Sequence, residues 1–152
     1  MSYIIKKNDN SIISCSYDNT IRVWDLFYKS CSCILHGYNS NVFCIVLLKD
    51  GRLASGSGIY DKSIKIWNLN SRVCELTLTG HTKDVRILKQ MTNGLLISAS
   101  DDKTIKVWNF KLKQCLQTLI SHYDVIYDLI LISNNYFISA GKDKDIIIWK
   151  YQ

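Results

Sequence analysis

A seven-residue segment recurs four times in this chain, and it constrains the fold more than any other feature. The copies read D-N-T-I-R-V-W, D-K-S-I-K-I-W, D-K-T-I-K-V-W and D-K-D-I-I-I-W. They end at Trp24, Trp67, Trp108 and Trp149, which are 43, 41 and 41 residues apart. A regular period of this length indicates that one structural unit of about 40 residues is repeated along the whole chain.

The residues between the tryptophans predict short β-strands separated by tight turns. In the third unit, one strand begins at Asp84 and ends before the turn at Thr92–Gly94. Three more strands are predicted over Leu95–Ser98, Thr104–Trp108 and Cys115–Leu119. A residue that tolerates positive φ stands at the first hairpin turn of every unit, namely Asn10, Gly51, Gly94 and Asn135. Four strands in a unit of about 40 residues are typical of a β-propeller blade.

The third unit contains Gly80-His81, Ser98-Ala99-Ser100-Asp101-Asp102 and Ile105-Lys106-Val107-Trp108-Asn109. With their counterparts in the other units, these motifs resemble the WD-repeat β-propeller family over essentially the whole chain. The resemblance implies an all-β fold, with four blades of four-stranded antiparallel sheets in an open, partial β-propeller. About 15 strands are expected, because the last blade is incomplete. One domain spans residues 1–152, with repeats at approximately 1–26, 27–69, 70–110 and 111–152.

The resemblance also implies a hydrogen-bonded set of four side chains, a tetrad, inside a blade. The third unit supplies Trp108, Ser98, His81 and Asp102, and the fourth supplies Trp149, Ser139, His122 and Asp143. The first two units keep Ser14, Asp18 and Trp24, then Ser55, Asp61 and Trp67, without a histidine. Ser, His and Asp could also form a hydrolase site. A repeated set is better explained as structural, because an enzyme needs one such site and a buried indole N–H needs an acceptor.

A second group of positions lies, by the same resemblance, at the mouth of the central channel. It comprises Tyr17, Asn41, Phe43, Tyr60, Asp84, Arg86, Asp101, Val125, Tyr127 and Lys142. We expect Arg86 and Tyr60 to be exposed and to act as anchors for a binding partner. For Phe43 and Tyr127, packing between adjacent blades is an equal alternative.

Composition and motifs favour a binding protein over an enzyme. Charged residues make up 21% of the chain, and the net charge of +6 is scattered through the repeats. Neither a metal site nor a cofactor site is predicted, because the three histidines are not clustered and no phosphate-binding loop occurs. The six cysteines are expected to be structural thiols. The chain has no apolar run of membrane-spanning length, and an intracellular, cytoplasmic location is expected, with the nucleus as the alternative.

The sequence therefore predicts a non-enzymatic protein–protein interaction scaffold, a platform for assembling multiprotein complexes. The alternative is a basic propeller that binds a phosphoinositide membrane surface or nucleic acid, although the F-R-R-G signature of phosphoinositide-binding propellers is absent. Because rings of this family usually use more than four blades, we expect an open arc. Its uncovered flanks would be covered by the remaining blades of a longer chain or by self-association.

Overall fold

The computed structural model of the protein describes residues 3–133 and 135–151. Within them the chain forms fifteen β-strands in four antiparallel sheets. The first sheet contains β1 (Tyr3–Asn8), β2 (Ser11–Cys15), β3 (Ile21–Asp25) and β4 (Ser30–Leu35). The second contains β5 (Val42–Leu47), β6 (Leu53–Ser57), β7 (Ile64–Asn68) and β8 (Val73–Leu78). The third contains β9 (Val85–Gln90), β10 (Leu96–Ser100), β11 (Thr104–Asn109) and β12 (Gln114–Ile120), and the fourth contains β13 (Ile126–Leu131), β14 (Tyr136–Gly141) and β15 (Ile146–Lys150).

Every sheet is a meander in which each strand pairs with the next one in the chain. The first strands of successive sheets, β1, β5, β9 and β13, contact one another in that order, so the sheets stand side by side as blades. This confirms the predicted all-β architecture of four blades, with three strands in the last. The four strands predicted for the third unit are also confirmed. No helix in the described part of the chain is long and apolar enough to cross a bilayer.

Each blade has two different faces. The tryptophan face carries the repeated tryptophan and serine, which are Trp24 and Ser14 in the first blade. The isoleucine face carries the residues that alternate with them, such as Ile21 and Val23, because successive side chains of a strand point to opposite faces. Trp67 of the second blade lies in one buried cluster with Ile21 and Val23 of the first. The tryptophan face of one blade therefore packs on the isoleucine face of the blade before it.

The hydrophobic core consists of three such clusters, one at each boundary between adjacent blades. At the second boundary Trp108 packs with Ile64 and Ile66, and at the third Phe137 packs with Ile105 and Val107. Blades thus bury their apolar residues against neighbours rather than within themselves, as expected for repeat proteins.

The hairpin between the second and third strands contains one left-handed residue in every blade. The residue after the repeated aspartate has a φ between 57° and 72°, at Asn19, Lys62, Lys103 and Lys144. This left-handed region is unfavourable for residues with a Cβ atom, and Asn tolerates it better than Lys.

The first hairpin turn is less uniform than the sequence predicts. Gly51 and Gly94 have φ values of 84° and 89°, as expected, but the prediction of a positive φ at Asn10 is wrong. There the side-chain oxygen of Asn8 accepts hydrogen bonds from the Asn10 amide at 2.9 Å and the Ser11 hydroxyl at 2.8 Å. A side chain therefore closes this turn in place of a left-handed residue.

The recurring left-handed lysines generate a stability prediction. Replacing Lys144 by Asn, the residue that the first blade has at this position, should raise the free energy of unfolding by about 0.5–1 kcal/mol. Urea unfolding followed by tryptophan fluorescence would measure the change. The matched control is Lys83→Asn, at an exposed loop lysine without positive φ. Equal effects of the two substitutions would contradict the assignment of strain to this turn.

Candidate functional site

The third blade brings its four predicted tetrad residues into one hydrogen-bonded chain. The indole Nε1 of Trp108 lies 2.8 Å from Ser98 Oγ, and His81 Nε2 lies 2.7 Å from the same oxygen. His81 Nδ1 lies 2.8 Å from Asp102 Oδ2. With a neutral imidazole protonated on Nδ1, each group donates to the next, from Trp108 through Ser98 and His81 to Asp102.

These hydrogen bonds connect serine, histidine and aspartate as in a hydrolase triad, but the serine is not accessible as a catalytic serine must be. Ser98 is fully buried, with 0% of its surface exposed, and its oxygen accepts the Trp108 indole N–H. A nucleophilic serine must instead face an open pocket where a substrate carbonyl can approach. The geometry therefore satisfies buried polar groups and leaves no room for acyl transfer at Ser98.

The fourth blade repeats the arrangement. Ser139 Oγ lies 2.7 Å from both Trp149 Nε1 and His122 Nε2, and His122 Nδ1 lies 2.7 Å from Asp143. The backbone amide of Tyr123 also donates to Asp143, at 2.8 Å. Two blades therefore hold the full set that the resemblance implies.

In the second blade a tyrosine takes the place of the histidine. The Tyr38 hydroxyl lies 2.8 Å from both Ser55 Oγ and Ser55 O, and it accepts the Lys65 amide at 3.1 Å. Trp67 Nε1 donates to Ser55 Oγ at 2.7 Å. Asp61 accepts the Ser63 hydroxyl and pairs with the Lys65 ammonium at 3.6 Å, rather than bonding to Tyr38 or Ser55. In the sequence, Tyr38 after Gly37 replaces the histidine that follows Gly80, but the tetrad residues predicted for this blade do not include it.

The first blade keeps only the bond between tryptophan and serine. Trp24 Nε1 donates to Ser14 Oγ at 2.8 Å. Asp18 accepts the amide and hydroxyl of Thr20 and pairs with Arg22 at 3.1 Å. Asp18 therefore lines one surface depression with Ser14 and Trp24 but accepts its hydrogen bonds from Thr20 and Arg22 instead.

The two histidine-bonded aspartates are stabilised as carboxylates. Burial raises the pKa of Asp102, but hydrogen bonds from His81 and the Thr104 hydroxyl outweigh it and hold the pKa well below its ordinary range. Burial likewise acts against Asp143, and hydrogen bonds from His122 and the Tyr123 amide lower its pKa to about 2. Ionised Asp102 and Asp143 therefore contribute to the stability of the folded state.

A second cluster of side chains, at positions predicted for the channel mouth, links three blades. Tyr17 of the first blade meets Phe43 of the second edge to face, with ring centroids 5.3 Å apart. The guanidinium of Arg86, from the third blade, lies 3.9 Å from the centroid of the Phe43 ring. Phe43 therefore packs between blades, while Tyr17 stays 55% exposed above it.

Arg86 is held by two carboxylates of its own blade. Its Nε and Nη2 donate to Asp101 Oδ2 at 3.0 and 2.8 Å, and Nη2 lies 3.1 Å from Asp84. Burial and the nearby charge of Asp101 raise the pKa of Asp84, against the opposing effect of Arg86. Asp101 Oδ1 is buried and accepts no hydrogen bond from the described part of the chain. The cluster therefore carries two carboxylates for one guanidinium.

A groove of about 370 Å³ continues the cluster toward the fourth blade. We call it the mouth groove, and it is lined by Arg86, Asp101, Val125, Ile126, Tyr127 and Lys142. Tyr127 is 64% exposed, and the Lys142 side chain is 58% exposed and lies 3.5 Å from Asp124. Five of the predicted mouth residues thus line one surface depression.

The second blade differs at the mouth because of its longer turn. In the third and fourth blades the residue before the repeated aspartate donates its amide to the carbonyl just before the first strand of the blade. These bonds run from Asp101 to Asp84 O and from Lys142 to Val125 O. In the second blade Gly58, not Tyr60, makes the corresponding bond, to Asn41 O at 2.9 Å.

Gly58 packs against Phe43, where a Cβ atom would come within 2.7 Å of the ring. Tyr60 lies on the turn beyond Gly58 and is 86% exposed. The two additional residues of this turn therefore carry an aromatic side chain out of the blade and into solvent.

Comparisons with known proteins agree with this geometry. The family model described as WD40, WD domain, G-beta repeat matches residues 5–25, 29–68, 72–109 and 113–150. No curated protein sequence matches the chain.

Within the described residues, no three side chains of metal-binding type are grouped closely enough to hold a metal ion.

Two solved structures show the same fold over nearly the whole chain. The WD40 β-propeller domain of Doa1 superposes with a TM-score of 0.91 at 22% identity, covering 99% of this chain and 50% of that one. U3-55K superposes with a TM-score of 0.86 at 29% identity, covering 97% of this chain and 47% of that one. The chain spans about half the length of both solved chains.

The tetrad generates a prediction for Ser98→Ala. The substitution removes the acceptor of the Trp108 indole N–H and a partner of His81, so it should lower the free energy of unfolding by about 1–3 kcal/mol. Urea denaturation measures this value. Ser71→Ala, at an exposed serine, is the control and should change it by no more than about 0.5 kcal/mol. A Ser98 variant as stable as the control would contradict a structural role for the tetrad.

The lowered aspartate pKa values predict loss of stability in acid. A carboxyl whose pKa is lower in the folded than in the unfolded state stabilises the fold above the unfolded value, about 3.9. That contribution disappears as the pH falls through the folded value, which is about 2 for Asp143. The free energy of unfolding should therefore decrease between about pH 5 and pH 3, because these carboxylates become protonated more readily in the unfolded state. The decrease should be smaller in the Asp102→Asn/Asp143→Asn variant, and equal pH profiles would contradict the prediction.

Proposed function

Because this chain belongs to the WD40 repeat family, we propose that it is a non-enzymatic protein-interaction module that binds a segment of another protein at the channel mouth. WD40 propellers generally serve as protein-interaction platforms. The proposal goes further and assigns binding to the mouth groove and to the exposed Tyr60. The continuous surface from Tyr17 through Phe43 and Arg86 to Tyr127 is the observation that carries it.

The chemistry of the groove suits a peptide. Tyr60 and Tyr127 are exposed aromatic side chains of the kind that contribute strongly to protein interfaces. The exposed Lys142 side chain can donate to a carbonyl or carboxylate of a partner. Arg86 has a different role from the predicted anchor, because Asp84, Asp101 and Phe43 already engage it. We assign it the task of holding the mouth cluster together.

The distribution of charge favours a protein partner over a polyanion. At the predicted mouth lie Asp84, Asp101 and Asp124, and among the described residues their ion-pair partners are Arg86 and Lys142. The net charge of +6 belongs to the chain as a whole. A phosphoinositide surface or nucleic acid would need an excess of cations at the binding surface, so it is the less favoured partner class.

We expect the two exposed tyrosines to carry the affinity. Peptides selected from a random display library on the wild-type protein should bind the Tyr60→Ala/Tyr127→Ala variant at least tenfold more weakly, which is about 1.4 kcal/mol. The control is Tyr28→Ala, at a tyrosine that is 74% exposed on the β3–β4 turn, at the opposite end of the strands. Fluorescence anisotropy measures the dissociation constants, and circular dichroism verifies the fold of each variant.

Other outcomes would redirect the assignment. Weaker binding in Tyr28→Ala with unchanged binding in the double variant would place the site at the opposite end of the blades. Binding to anionic vesicles or oligonucleotides, with affinity falling steeply as salt rises, would support the polyanion alternative.

A further inference from the structure

The last blade exposes an apolar face that every other blade buries. Ile146 and Ile148, on the isoleucine face of the fourth blade, are 74% and 69% exposed. The residues that correspond to Ile146 in the first three blades are Ile21, Ile64 and Ile105, and they are 0%, 1% and 0% exposed. The difference lies in the neighbour, because each of these three residues is covered by the tryptophan face of the following blade.

The exposed isoleucine face is a continuous surface. A groove of about 320 Å³ runs across it, lined by Asp128, Leu129, Ile130, Ile138, Ser139, Ala140 and Ile146. Ile130 is 50% exposed in addition to Ile146 and Ile148. Apolar surface of this extent on a folded chain marks a place where another protein surface binds.

The first blade shows the complementary gap. Ile4 pairs across β1 and β2 with Ser14 and is 46% exposed. The residues opposite the repeated serine in the other blades are Ile45, Leu88 and Leu129, and they are 2%, 4% and 1% exposed. These three are covered by the isoleucine face of the preceding blade. The tryptophan face of the first blade therefore lacks the surface that the fourth blade leaves free.

We infer that two copies of this chain associate head to tail. The isoleucine face of the fourth blade in one copy packs on the tryptophan face of the first blade in its partner. Each copy then carries both halves of an interface that already occurs three times inside the chain. Such a contact between unlike surfaces is heterologous, and it gives a closed ring if the rotation per copy divides a full turn.

The comparison structures supply the argument for closure after two copies. This chain superposes on 50% and 47% of the two solved propeller chains, so it corresponds to about half of each. Two copies would present eight blades, within the range of about 4–8 that closes known propellers. The mouth residues of both copies would then surround one channel, and ring closure would complete a surface that a single copy holds only in part.

The test uses the chain itself and variants at exposed positions. Analytical ultracentrifugation over a concentration series should give twice the chain mass of 17.5 kDa for the wild type. Ile146→Lys on the isoleucine face and Ile4→Lys on the tryptophan face should each give the single-chain mass. The matched control is Ile120→Lys, at an isoleucine 75% exposed on β12, and it should keep the wild-type mass. Circular dichroism verifies that all three variants are folded.

Mixing the two face variants distinguishes head-to-tail association from any symmetric pairing of like faces. An equimolar mixture of Ile4→Lys and Ile146→Lys contains one intact pair of unlike faces, so dimers should reappear. A monomeric wild type at all concentrations would overturn the inference and leave additional blades outside residues 1–152 as the occupant. Masses that keep growing with concentration would overturn ring closure. A dimer that survives Ile146→Lys, or a mixture that stays monomeric, would overturn the head-to-tail contact.

Discussion

The hydrogen bond from a tryptophan indole to a serine hydroxyl is the contact on which each blade depends. It occurs in all four blades, at donor–acceptor distances of 2.7 or 2.8 Å. Burying a large indole against the preceding blade is favourable only if its N–H finds an acceptor. Ser98 and its counterparts supply that acceptor from the adjacent strand, so one bond connects the second and third strands and orients the residue that fills the boundary between blades.

Different side chains can bond to the serine, because either a phenol or an imidazole meets the requirement. Where the serine is buried, its hydroxyl takes one further hydrogen-bonding group, and His81 and His122 provide an imidazole nitrogen. Tyr38 provides a phenol at the same place and also satisfies a backbone amide. The aspartate joins the network only where an imidazole can bond on both of its ring nitrogens. Histidine therefore extends the chain of bonds to Asp102, whereas tyrosine ends it at the serine.

The proposed binding site lies at positions that the repeat leaves unspecified, whereas the inferred assembly uses positions that the repeat fixes. Inside the chain, every boundary between blades buries apolar residues at corresponding positions of the repeat. The residues at the predicted mouth positions differ from blade to blade. Phe43, Arg86 and Tyr127 occupy corresponding positions and make an aromatic contact, an ion-paired cluster and an exposed ring. The flanks of the first and fourth blades expose Ile4 and Ile146 for the opposite reason, because they keep the repeat pattern where no neighbour covers it.

The sequence by itself determined the repeat and the strand order, because these depend on local spacing and on turn residues that recur with one period. Its resemblance to a known family also implied the residues of the two complete tetrads. Only the tertiary structure decided that Tyr38 bonds to the serine of the second blade in place of a histidine. It also decided that Gly58, rather than Tyr60, donates its amide to Asn41 O. It also decided that Phe43 packs beneath Arg86. Two of these contacts lie within the second blade, and the third joins adjacent blades. Side-chain size and an inserted turn set their geometry, and no periodic pattern in the sequence records it.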